Sequence, residues 1–70
     1  MQLTINGESE TISKEGITIT ELLALKSVKM PEMVSVELNG DILDRDAFGT
    51  TSLKDNDAVE FLYFMGGGAR

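Results

Sequence analysis

The chain is 70 residues long, carries a formal net charge of −6, and contains neither cysteine nor histidine. Without cysteine it can form no disulfide, thiolate zinc site or cysteine nucleophile, and without histidine it lacks the commonest metal ligand and the commonest general base near neutral pH. The acidic balance argues against nucleic acid as a partner, and the length fits one small domain with little core in which to shift carboxylate pKa values.

No apolar stretch approaches the length of a membrane span, and the N-terminus lacks the charged-then-apolar pattern of a signal peptide, so a cytoplasmic protein without a membrane partner is expected. Gln2-Leu3-Thr4-Ile5 alternates polar and apolar residues with the period of a half-buried strand. Asn6-Gly7 supplies two residues that tolerate the positive φ of a type I′ hairpin turn, and Glu8 to Ile12 would return. A two-residue turn places Glu8, Glu10 and Ile12 on the face of Leu3 and Ile5. The glutamates then lie at the open end of the hairpin, or a bulge or longer loop shifts the register.

Thr18-Ile19-Thr20-Glu21 has the spacing of a capping box, in which Thr18 accepts from the Glu21 amide and Glu21 reaches back to Thr18. Ile19, Leu22 and Leu23 then share one helical face, and a short helix of roughly Ile19 to Val28 is expected, with Lys26 and Lys29 toward its C-terminal end. Pro31 ends it and makes Met30 non-helical. Met33 to Leu38 alternates with Val34, Val36 and Leu38 inward. Asn39-Gly40 repeats the turn chemistry, Ile42-Leu43 reads as a short strand, Phe48 as a plug following an irregular turn, and Thr50 to Leu53 as a short extended piece. Lys54-Asp55-Asn56-Asp57 is a turn with Asn56 left-handed, and Ala58 to Met65 is the longest strand pattern.

That last strand places Val59, Phe61 and Tyr63 on one face, expected to be core. Leu62 and Phe64 fall on the other, a candidate partner-binding patch with an acidic rim. It runs into Gly66-Gly67-Gly68, which have no side chains to pack and suit neither a helix nor a strand interior. Residues 1–65 therefore read as the folded domain and 66–70 as a flexible glycine-rich tail. Extended, the tail reaches about 17 Å. Such a cord can thread through a narrow tunnel and offer an unhindered carboxylate to a partner; a frayed chain end is the other reading. The acidic pairs Asp44/Asp46 and Asp55/Asp57 sit in turns, where local backbone hydrogen bonds favour aspartate, so no metal site is expected from them. No glycine-rich loop precedes a helix to cradle a nucleotide.

The order and spacing of these pieces carry a resemblance. Met1 to Glu8, the Thr18-Ile19-Thr20-Glu21-Leu22-Leu23 helix start, Val36 to Leu43, Leu53 to Phe61 and the glycine tail together resemble the ThiS-like ubiquitin-like sulfur carriers of the ThiS/MoaD superfamily. The resemblance implies an α+β β-grasp (ubiquitin-like) fold, a mixed four- to five-stranded sheet packed on one main helix. It implies a protein co-substrate rather than an enzyme, with Gly68 adenylated by a ThiF-like activating enzyme and converted to a thiocarboxylate. Gly66 and Gly67 would thread into the partner. The carrier binds no cofactor; ATP and magnesium are used by the partner, and the sulfur passes to a thiazole synthase. Ala69 and Arg70 extend beyond the family's terminal Gly-Gly and leave the Gly68 carbonyl as an amide. Removal by a peptidase, a cloning remnant, or a non-conjugating β-grasp interaction domain would each account for them. A carrier for cysteine, homocysteine or molybdopterin synthesis is the alternative within the same class.

Overall fold

The structure is a computed structural model, and it describes residues 1–63. Strands β1 (Gln2–Ile5) and β2 (Glu8–Thr11) are joined by Asn6 at φ 53 and Gly7 at φ 84, the two positive values that a type I′ turn requires. The register is the simple one, with Ile5 opposite Glu8 and Leu3 opposite Glu10, so no bulge intervenes. Glu8 escapes to solvent beyond the core. Glu10 is half-buried on an edge strand, and its Oε1 meets Lys26 Nζ at 2.6 Å. The pair is worth little in stability, since partly solvated ion pairs contribute about 0–1 kcal/mol. It does show how a glutamate can share the face of Leu3.

Helix α1 (Ile19–Leu25) begins as expected: Glu21 N donates to Thr18 Oγ1 at 3.2 Å and Thr18 N donates to Glu21 Oε1 at 2.8 Å. It ends earlier than its apolar pattern suggests. Ser27 takes φ 56, its N–H donates to Ala24 O, and Val28 N–H donates to Leu23 O, which is a Schellman closure built on serine instead of glycine. Lys26 becomes the C-cap, and Lys29 lies outside the helix. Met30 is non-helical, but left-handed (φ 54), and Pro31 opens a 3₁₀ turn over Pro31–Met33. Strand β3 (Val34–Leu38) thus starts one residue after Met33. A second Asn-Gly turn, Asn39-Gly40, leads to the two-residue strand β4 (Asp41–Ile42). Of the extended pairing expected over Thr50 to Leu53, only the bridge between Thr18 and Ser52 forms.

Among the described residues the strands form one mixed sheet in the order β2-β1-β5-β3-β4, where β5 is Ala58–Tyr63. The last strand in sequence is therefore central in space, parallel to β1 and antiparallel to β3. Leu3 and Ile5 from β1, Val34 and Val36 from β3, and Val59 and Phe61 from β5 bury one face against Ile19, Leu22 and Leu23 of α1, with Phe48 and Leu53 closing the sides. One helix lying across a mixed five-stranded sheet is the β-grasp arrangement expected from the sequence.

Candidate functional site

The site is built from β5 outward. Val59 and Phe61 are buried, as their alternation requires, but Tyr63 is 51% exposed and does not belong to the core. It pairs with Val34 at the last position of the β3–β5 ladder, next to the turn Pro31–Met33 that precedes β3. Leu62, opposite Ser35, is exposed on the face turned away from the helix. Phe64, Gly66, Gly67 and Gly68 lie outside the described residues, as does the tail 66–70 as a whole.

Around Leu62 the outer face is mixed. Glu60 lies opposite Glu37, and Glu37 in turn lies opposite Ile42, which is 63% exposed. Like charges directly across a ladder repel, and among the described residues neither glutamate has an ion-pair partner. A shallow depression of about 300 Å³ adjoins it, lined by Thr4, Asn6, Gly7, Glu37, Gly40 and Glu60 among others. The sequence missed Ile42 as a member of this face, because a two-residue strand has no periodicity to read.

Two side chains stand in for missing strand and hold the end of β5 and its neighbour. Asn6 N donates to Val59 O at 2.9 Å, and Phe61 N donates to Asn6 Oδ1 at 2.8 Å, so the carboxamide extends the β1 ladder one position past the end of β1. On the far side of β3, β4 is too short to reach Val34. There Arg45 Nη2 donates to Val34 O at 2.7 Å and Nη1 to Pro31 O at 3.0 Å, while the guanidinium lies 5.3 Å from the centroid of the Phe48 ring. At the start of β5, Asn39 Nδ2 donates to Asp57 Oδ1 at 3.0 Å and Ala58 N donates to Asn39 Oδ1 at 2.9 Å.

Of the four turn aspartates only Asp57 makes the local backbone bond expected of it; Asp55 reaches across the fold, and Asp44 caps nothing ahead of the 3₁₀ turn Arg45–Ala47. Asp57 Oδ2 accepts from Lys54 N and Asp55 Oδ1 accepts from Gln2 N. Among the described residues, no group of three or more acidic side chains is spaced to hold a metal ion. No helix among them is long and apolar enough to cross a membrane. What remains is the central strand β5, bonded to β3 along its length and to β1 and Asn6 as far as Phe61 N–H, and ending within the described residues at Tyr63.

The ThiS family model matches residues 2–68. A sulfur carrier protein ThiS from Bacillus subtilis is 33% identical over 66 residues, covering 94% of this chain and 98% of that one. A thiazole synthase from Magnetococcus marinus is 34% identical over 68 residues; these cover 97% of this chain but only 20% of that protein's length. Among solved structures, the crystal structure of the thiamine biosynthesis protein ThiS from Geobacter metallireducens superposes with a TM-score of 0.88 at 55% identity, covering 97% of this chain and all of the other. Its solution structure gives a TM-score of 0.82 at the same identity, covering 97% of this chain and 88% of the other.

Proposed function

Because the chain belongs to the ThiS family of sulfur carriers in thiamine biosynthesis, we propose that Gly68 is its reactive residue and that the carboxylate of that glycine carries the sulfur. With Ala69 and Arg70 attached, the Gly68 carbonyl is an amide and gives an activating enzyme no carboxylate to work on. Hydrolysis of the Gly68–Ala69 bond by a peptidase must come first. A carboxylate oxygen then attacks the α-phosphorus of ATP in a ThiF-like adenylating enzyme, and magnesium pyrophosphate leaves. Attack of hydrosulfide from a sulfur donor on the acyl-adenylate carbon breaks the bond to AMP and leaves a thiocarboxylate. On a thiazole synthase the thiocarboxylate sulfur forms a bond to a carbon of the thiazole precursor, the acyl carbon–sulfur bond then breaks, and an oxygen from water takes its place on the acyl carbon, regenerating the carboxylate.

The carrier's own contribution is delivery. Gly66 and Gly67 would pass a channel too narrow for side chains, while Leu62 and Phe64 would seat the domain at its mouth. The observation that carries this reading is the placement of β5: a central strand between β1 and β3 that ends at Tyr63, three residues before the glycine run begins in the sequence. The chain needs neither cysteine nor histidine for this work, since the sulfur rides on a backbone-derived carbonyl and the partner supplies the phosphate chemistry. Membership of the ThiS family supports the thiamine branch over carriers serving cysteine, homocysteine or molybdopterin synthesis. The thiazole synthase similarity supports the named acceptor.

ATP–pyrophosphate exchange catalysed by a ThiF-like enzyme tests the reading. Exchange should depend on the chain ending at Gly68 and be absent with the 70-residue chain until a peptidase is added. Equal exchange with both forms, or none with either, contradicts it.

A further inference from the structure

The hydrogen-bonding groups of β5 alternate between its two neighbours. Asp57 O and Val59 O accept from β1 and Asn6, and Phe61 N donates to Asn6, whereas Ala58 bonds toward β3 through Asn39. By that alternation Leu62 bonds to Ser35 on the β3 side, and Phe61 C=O and Tyr63 N–H point to the β1 side. But β1 has ended. Its chain turns away at Asn6-Gly7, and a Cβ built on Gly7 meets nothing within 4 Å. Among the described residues, Phe61 C=O and Tyr63 N–H have no partner in the ladder or in any turn. The central strand thus carries a short open edge in line with β1, immediately before the residues that lead to Gly68.

We propose that this edge, Phe61 C=O with Tyr63 N–H, is completed by an extended backbone segment of the adenylating enzyme, which continues the line of β1 and fixes the direction in which the tail leaves. An open strand edge is complementary to another peptide strand and to little else. The neighbouring charge selects which strand: its outward side chain beside Leu62 lies diagonal to Glu60, within reach of a long basic residue, and Glu37 lies behind Glu60. The occupant is therefore an extended segment bearing lysine or arginine at that position. The inference rests on the sulfur-carrier reading.

The test uses a residue that can lose its N–H without harming the fold. Tyr63→Pro removes a donor that has no strand partner among the described residues and follows Leu62, already extended as a residue before proline must be. Tyr63→Ala removes the side chain and keeps the donor. Binding of the adenylating enzyme is measured for both, in the full chain and in the chain ending at Gly68, beside the urea midpoint of each variant. Tyr63→Pro should bind about tenfold more weakly than Tyr63→Ala, and Glu60→Gln should weaken binding and flatten its salt dependence. Equal affinities for Tyr63→Pro and Tyr63→Ala overturn the proposal. Should Tyr63→Pro unfold, hydrogen exchange at the Tyr63 amide of the unaltered chain decides. Exchange that slows on adding the enzyme supports the proposal. Exchange unchanged by the enzyme, or already slow in the free chain because its own C-terminal residues or a second copy cover the edge, overturns it. If the chain ending at Gly68 supports pyrophosphate exchange while the two Tyr63 variants bind alike, only the edge proposal falls. If no enzyme binding or exchange occurs at all, both readings fall.

Discussion

The Oδ1 of Asn6 accepts the backbone N–H of Phe61 at 2.8 Å, joining residues 55 positions apart in the chain. Asn6 does two jobs at once: its backbone takes the positive φ that turns the first hairpin, and its side chain completes the ladder on the strand that leads to the tail. Three substitutions separate these jobs. Asn6→Asp keeps an acceptor and tolerates the left-handed conformation, and should change stability little. Asn6→Gly keeps the turn and loses the bond, at about 1 kcal/mol. Asn6→Ala loses both, at about 2–3 kcal/mol in urea unfolding. The order Asp, Gly, Ala is the prediction, and an alanine variant as stable as the aspartate one would show that the bond and the turn conformation matter little.

Arg45 is the counterpart on the other flank. Lysine carries the same charge but cannot reach Pro31 O and Val34 O together or stack its head on Phe48. Arg45→Lys should cost about 1–2 kcal/mol. The loss should be local, with faster amide exchange over Glu32–Val34 than at the hairpin Gln2–Thr11. Uniform loosening of the whole sheet contradicts that account.

Ser27 closes α1 from the left-handed region, where a residue with a Cβ is disfavoured. Ser27→Gly should therefore stabilise the domain by about 0.5–1 kcal/mol, despite glycine's greater freedom when unfolded. A lower urea midpoint in this variant counts against the Schellman closure.

Leu62 is exposed and Gly67 belongs to the proposed threading segment. Leu62→Asp should leave the thermal midpoint nearly unchanged while weakening binding to the adenylating enzyme at least tenfold, a loss of roughly 1.4 kcal/mol or more. Gly67→Phe should abolish pyrophosphate exchange of the chain ending at Gly68 with no change in unfolding. A thermal midpoint that drops in either variant means that the residue serves the fold instead.

What the sequence disclosed were local devices: the two Asn-Gly turns, the Thr18/Glu21 box and the alternation of β1, β3 and β5. Each is decided by residues within a few positions of one another, so propensity and period suffice. The end of α1 was hidden because serine, and not glycine, sits at the left-handed position. Tyr63 has the right parity for the core, but it sits at the last position of the β3–β5 ladder and is half exposed, which parity along the strand does not record. The roles of Asn6 toward Phe61 and Arg45 toward Val34 depend on which strands become neighbours and where β1 and β4 stop, and no pattern along the chain records that. The pairing of Glu10 with Lys26 was equally out of reach, although it resolves the hairpin register. For the candidate site, the glycine run and the family resemblance pointed to the tail, while Ile42 and the facing glutamates Glu37 and Glu60 emerged only when β3, β4 and β5 were laid side by side.

The most direct test is the intact mass of this protein recovered from the cell that makes it, under sulfur-replete conditions and without reducing agents. The account predicts a chain ending at Gly68, with a fraction heavier by the exchange of one carboxylate oxygen for sulfur, and loss of that fraction when the adenylating enzyme is deleted. A chain that always retains Ala69 and Arg70, with no sulfur-bearing form, contradicts it.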